Sequence, residues 1–210
     1  MADSKQTQYV WYASYGSNLS KDRFLCYIRG GKPEGSTKVE VGCRDQTLPK
    51  KEETYEMHYP LYFAKNSARW QNQGVAFIGL QEDKKQVLYS RKYLITTEQF
   101  LDVVKQENNG EELDIDLEEV RKNRYITLKD SWYGTILFVG EEKGFPVFTF
   151  TADWDLDVPF STPSKEYLSM IMEGLKRDVG LNTEQIIQYL ESKPGVKGSY
   201  RYSELEQLIM

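Results

Sequence analysis

Tyr15-Gly16-Ser17-Asn18 interrupts a run of strand-forming residues and stands just ahead of a helical stretch. A glycine between a strand and a helix lets the backbone turn tightly and come close to a ligand. The helix start beyond it offers unpaired N–H groups and the positive end of the helix dipole. Ser17 and Asn18 add short polar side chains. Such a junction can hold a carboxylate or phosphate, or it can simply turn the chain. A second candidate is Glu107, which closes a helix whose apolar face is Phe100, Val103 and Val104. A carboxylate there is either solvated or set into a pocket wall, where partial burial would raise its pKa toward the range of a general acid/base. Glu98 and Asp102 are rival carboxylates on the same helix, and Glu98, in the first turn, suits the helix dipole.

Other chemistries find less support. The loop lacks the Gly-x-x-x-x-Gly-Lys-Ser/Thr spacing of a P-loop and the Gly-x-Gly-x-x-Gly of a dinucleotide site. Ser17 has no glycine two residues on, as a nucleophile elbow requires. A Ser-His-Asp triad would have to use His58, the one histidine of the chain. That lone His with two cysteines, Cys26 and Cys43, argues against a structural zinc site and a disulfide framework. Asp153, Asp155 and Asp157 lack the glycine and terminal glutamate of a calcium loop, so no metal ligands are assigned. With a net charge of -5 and only short basic runs beside acidic residues, no nucleic-acid footprint is visible. No apolar run is long enough to span a bilayer, and no charged-then-apolar leader opens the chain. The expected location is the cytosol, with no membrane partner.

The elements that must position these residues follow from periodicity. Strand patterns run over Gln8 to Ser14, Lys38 to Val41, Pro60 to Ala64, Gly74 to Leu80 and Gln86 to Ile95, and later over Tyr125 to Leu128, Trp132 to Val139 and Phe145 to Ala152. Gln46 to Tyr55 is charged and weakly patterned, and reads as an exposed loop. Helical spacing marks Leu19 to Arg29. It marks a second stretch beginning at Thr96, where Thr96 and Gln99 form a capping-box pattern. Glu111 to Arg124 reads as a helix or an excursion from the core. In the last quarter, Thr162-Pro163 is a helix start, Asn182 caps another helix, and Ser203 with Glu206 suits a short final one. The predicted architecture is α+β: a small mixed β-barrel or strongly curved sheet with peripheral helices. The expected division is an N-terminal tail at 1–7, one domain at 8–192 and a C-terminal extension at 193–210.

The run Tyr12-Ala13-Ser14-Tyr15-Gly16-Ser17-Asn18-Leu19 resembles the signature of the gamma-glutamyl cyclotransferase superfamily. Tyr62-Phe63-Ala64, Trp70 and Gly74-Val75-Ala76-Phe77-Ile78 are similar to the family's central strands, and Val103-Val104-Lys105-Gln106-Glu107 to its short catalytic helix. The resemblance implies Glu107 as the catalytic carboxylate, Tyr15, Gly16, Ser17 and Asn18 as the substrate loop, and Tyr125 as a further substrate-binding residue. The chain departs from the pattern at Tyr89-Ser90 and at Asn108-Asn109, where the family often has glycine, and Glu111 to Arg124 looks inserted.

The implied reaction cyclises a small-molecule gamma-glutamyl amide to 5-oxoproline and releases an amine, with no cofactor. The reaction asks for a folded-back substrate, one carboxylate to move protons and donors for the oxyanion. A non-catalytic ligand-binding or interaction module on the same fold is the alternative. The surplus of Tyr and Trp is compatible with a homodimer.

Overall fold

The computed structural model describes residues 8–33 and 38–209. The expected N-terminal tail at 1–7 lies outside the described residues. In chain order the elements are β1 (Tyr9–Ser14), α1 (Lys21–Arg29), β2 (Lys51–Met57), β3 (Leu61–Ser67), β4 (Gln73–Ile78), β5 (Leu88–Thr96), α2 (Thr97–Glu107) and α3 (Leu117–Asn123). They continue with β6 (Tyr125–Thr127), β7 (Thr135–Glu142), β8 (Phe145–Thr151), α4 (Lys165–Glu173), α5 (Thr183–Glu191) and α6 (Tyr202–Ile209).

Six strands form one curved sheet in the order β2-β5-β1-β8-β7-β6, and β3 with β4 forms a separate hairpin. The α+β class with peripheral helices holds, but the sheet does not close into a barrel. Its two edges, β2 and β6, each have a single partner. β1 lies in the interior of the sheet, antiparallel to β5 and parallel to β8.

Both faces of this sheet are covered, which explains why β1 reads as a continuous apolar run instead of an alternating one. Side chains alternate across a strand. Val10 and Tyr12 enter a core with Phe24, Tyr27, Phe100 and Phe148, under α1 and α2. Trp11 and Ala13 enter the opposite core, with the β3–β4 hairpin, α4 and α5. Val196 and Leu205 are fully buried in this second core. Of the segment 193–210, set apart in the sequence, the described residues 193–209 therefore pack on the domain.

Of the charged stretch Gln46 to Tyr55 read as a loop, 46–50 is irregular, but the part from Lys51 on is in fact edge strand β2. Its register places Glu53 opposite Lys92 and Thr54 opposite Arg91 on β5. Glu52 pairs with Arg91 at 3.3 Å, and Glu53 pairs with Lys92 at 3.5 Å. Opposite charges across a pair stabilise a sheet, and charge on an edge strand discourages further pairing. Propensity alone could not show either effect.

Lys38 to Val41 is not a strand; one bridge joins Gly31 to Glu40. Its polarity is the reverse of the expected one. Val39 and Val41 are exposed, and Glu40 is buried against Arg69.

Helix starts show the same interplay. Thr96 and Gln99 make the full capping box, as does Asn182 with Gln185. The cap of α4 is Ser164, whose hydroxyl accepts from the Tyr167 amide at 3.2 Å, and not Thr162. Ser203 lies inside α6 instead of capping it. The 111–124 segment resolves into α3, with Asp116 accepting from the Glu118 and Glu119 amides.

Candidate functional site

The parallel pairing of β1 and β8 brings their C-terminal ends to one edge of the sheet. There β1 runs out through Tyr15 and Gly16 into a single 3-10 turn, Ser17–Leu19, before α1 begins. The turn closes by Leu19 N–H to Gly16 C=O at 3.0 Å and Ser20 N–H to Ser17 C=O at 3.3 Å, so the amides at its start have no acceptor within it. A cavity of about 110 Å³ opens beside it, and Ser14, Tyr15, Gly16, Ser17 and Asn18 contribute to its wall.

Glu107 lines the same cavity from the end of α2. α2 is fixed by its capping box at Thr96 and by Phe100, Val103 and Val104, all buried. That anchorage directs its last residue inward. Asn18 Nδ2 lies 3.5 Å from Glu107 Oε1 and 3.4 Å from the Tyr12 hydroxyl. The four residues of the loop and Glu107 are thus brought together, although they are 89 positions apart at Asn18–Glu107.

Burial pushes the Glu107 carboxyl above its ordinary range. A hydrogen bond from Tyr27 and the charges of Arg23 and Arg69 pull the other way, and Glu40 adds to the rise. The group is half-buried and meets solvent through the cavity. A carboxylate in this setting can take and return a proton nearer neutrality than a solvated one.

Tyr125 is not brought to this cavity. It pairs with Leu137 at the β6 edge and lines a separate hollow with Tyr59, Glu82 and Arg124. The phenols that do reach the cavity are Tyr12, Tyr15, Tyr27, Tyr133 and Tyr167. Burial raises all five, Tyr167 to about 12. They therefore serve as neutral hydrogen-bonding groups, not as bases. The Tyr167 hydroxyl accepts from the Ala76 amide at 3.2 Å and lies close to Gly16.

Two guanidiniums, Arg23 from α1 and Arg69 from the turn after β3, complete the wall. Sequence reasoning missed both. A signal existed for Arg23: it falls beside Phe24, Tyr27 and Ile28 on the buried stripe of α1, where a charged residue is out of place. Arg69 carried no local signal.

The rival residues have other work. Asp102 accepts from the Arg44 amide at 2.8 Å and pairs with its guanidinium, and Glu98 pairs with the same arginine at 3.4 Å. His58 bonds through Nδ1 to the Gln86 carbonyl at 2.8 Å and does not line the cavity. Asp155 accepts from the Leu80 amide. Among the described residues no group of three His, Cys, Asp or Glu side chains is placed to hold a metal, and no helix is long and apolar enough to cross a membrane.

No protein-family model matches the chain. A histone deacetylase 5 from Arabidopsis thaliana is 33% identical over 205 residues, covering 88% of this chain. The chain spans about a third, 31%, of that relative's length. Among solved structures, a gamma-glutamyl cyclotransferase aligns with TM-score 0.52 at 16% identity, over 96% of this chain and 98% of its own. A human protein described as uncharacterized aligns with TM-score 0.53 at 16% identity over the same shares. With the sheet order and peripheral helices above, these alignments place the chain in the gamma-glutamyl cyclotransferase-like fold.

Proposed function

We propose that the protein cyclises a gamma-glutamyl amide to 5-oxoproline, with Glu107 as general acid/base and the Tyr15–Asn18 loop as the substrate's seat. The observation that carries this reading is the Glu107 carboxylate facing the loop across the cavity, 3.5 Å from Asn18 Nδ2. A solvated helix-end glutamate would not face a loop in this way.

The chemistry follows from the groups present. The glutamyl α-amine attacks the γ-carbonyl carbon, forming the ring C–N bond. Glu107 takes the amine proton and then gives it to the departing nitrogen as the original amide C–N bond breaks. The carbonyl oxygen gains negative charge between these steps. Donors for it are the amides at the start of the 3-10 turn and the Tyr167 hydroxyl, whose oxygen already accepts from Ala76. The wall of Trp70, Trp132, Tyr133 and Tyr167 holds the substrate folded, which favours ring closure over extended conformations. Protons and electrons balance without a co-reactant.

The direct test is incubation with a panel of gamma-glutamyl amino acids, peptides and amines, with detection of 5-oxoproline. Release from at least one member is the expected result, and silence across the panel would end the proposal. Tyr27 supplies a finer check. Its hydrogen bond favours the ionised carboxylate, so Tyr27→Phe should raise the apparent pKa of the acidic limb in the pH profile of kcat/KM. An unmoved limb would mean that Tyr27 does not act on the titrating group.

A second reading draws on the plant relative, in which the matched part is a minority of a longer protein. A non-catalytic module would bind a gamma-glutamyl compound at this cavity without turning it over. Binding by calorimetry with no 5-oxoproline release identifies that case.

A further inference from the structure

Arg23 is only 5% exposed, a degree of burial that a guanidinium seldom has without a counter-charge. Among the described residues it makes one hydrogen bond, Nε to Ser17 Oγ at 2.9 Å, and enters no ion pair; Nη1 is inaccessible and has no partner. The rings of Tyr27 and Trp70, with centroids 5.9 and 5.6 Å from its guanidinium carbon, hold the group in place. Such cation–π contacts stabilise the charge without neutralising it. The other guanidinium of the cavity is differently situated, since Arg69 pairs with Glu40 at 2.7 Å. The wall therefore carries a guanidinium that no carboxylate meets in a direct ion pair, Glu107 acting on it only through its charge, beside a loop suited to anions.

We infer that Arg23 receives the α-carboxylate of the glutamyl group and so restricts the substrate to gamma-glutamyl compounds in which that carboxylate is free. This rests on the cyclotransferase reading. Arg23 is tied to Ser17, and the next residue, Asn18, reaches Glu107. In a glutamyl group the α-carboxylate and the α-amine share one carbon. A carboxylate seated on Arg23 thus delivers the attacking amine to Glu107. With Nε held by Ser17 and Nη1 inaccessible, Nη2 is the edge of the guanidinium left to meet the carboxylate, a charge-assisted contact stronger than a bare helix start gives.

The test compares three compounds on wild type and Arg23→Gln. They are gamma-glutamyl-alanine, the same compound with the alanine carboxylate as carboxamide, and the same compound with the glutamyl α-carboxylate as carboxamide. For wild type, KM should rise at least about 30-fold on losing the α-carboxylate, the low end of what truncating one partner of a buried charge pair costs. It should change less than about threefold on losing the alanine carboxylate, a contact with no buried charge partner here. Arg23→Gln should show the raised KM on all three and no longer distinguish the α-carboxylate from its carboxamide, with kcat lowered as well on the substrate that keeps the α-carboxylate, because its amine is no longer oriented. Melting curves establish that the variant is folded; should it not fold, Arg23→Met, uncharged and of similar length, replaces it. A folded variant that keeps the wild-type preference overturns the inference, as does a wild type with no preference for the α-carboxylate. If wild type releases 5-oxoproline from none of the three or from the wider panel, the cyclotransferase reading has failed. Calorimetry with L-glutamate then decides the carboxylate receptor alone. Binding that weakens at least about 30-fold in Arg23→Gln supports it, and equal binding, or none by wild type, rejects it.

Discussion

Replacing Glu107 with glutamine is expected to lower 5-oxoproline release by about 10²–10⁴-fold, the usual worth of a positioned general acid/base, and to leave the fold intact. Glutamine has nearly the same shape, so packing of α2 through Phe100, Val103 and Val104 is undisturbed. Its amide can keep a contact with Asn18 or Tyr27, but it cannot accept the amine proton. The wild-type profile of kcat/KM should climb with pH as Glu107 ionises, with a midpoint above the ordinary glutamate value of about 4.3, because burial raises the group. The charged and titratable groups around it are Tyr27, Arg23, Arg69 and Glu40. In the variant that limb should vanish. Stability carries its own signature. Between the ordinary carboxylate range and the raised value, the folded chain holds a proton that the unfolded chain has lost, so stability falls as pH rises through that window. Glu107→Gln should remove that dependence and leave the protein at least as stable near neutrality. Circular dichroism, melting and 5-oxoproline assays on one active substrate check all three points. A folded variant within about threefold of wild type, far short of the expected loss, would place the base elsewhere. Glu98 and Asp102 are engaged with Arg44, so the search would turn to groups outside α2.

The loop and Glu107 were legible in the sequence because each is local. The loop is four adjacent residues between a strand and a helix. Glu107 is the last residue of a helix whose start, at Thr96 and Gln99, can be read directly. The sheet was legible where both faces are buried, as in β1 and β8, and illegible in β2, where cross-strand charge pairing decides. Closure into a barrel could not be judged because it depends on whether β2 and β6 meet, and no pattern within either strand specifies that. The rest of the site comes from convergence. Arg69 follows β3, Tyr133 precedes β7 and Tyr167 stands in the first turn of α4. Only the packing of the hairpin and α4 against the end of β1 brings them to one cavity. Tyr125 shows the converse: the family resemblance suggested it for the site, but the β6–β7 pairing carries it to another hollow.

Gly16 tests whether the substrate approaches the loop backbone. What a side chain at Gly16 would meet is a matter of space. A Cβ built on it would sit 3.3 Å from the Tyr167 hydroxyl and 3.6 Å from Ala76 Cβ. Alanine would therefore crowd the hydroxyl by a few tenths of an ångström. Valine adds two more methyl groups, at a point where the cavity wall is formed by Gly16 itself and by Tyr167. Overpacking of this kind costs about 1–3 kcal/mol of stability, which the two large cores should tolerate. The larger effect falls on turnover. Moving Tyr167 or the substrate by about 1 Å is enough to cost roughly 10²-fold, so Gly16→Val should lose at least about that factor in kcat/KM. Gly16→Ala, with its single methyl, should fall between the two. The measurement is 5-oxoproline release by wild type and both variants on one substrate, with melting curves alongside. A folded Gly16→Val protein with wild-type kcat/KM would show that the substrate does not lie against this backbone, and the seat would then have to be sought elsewhere along the cavity wall, toward Arg69 and Trp132.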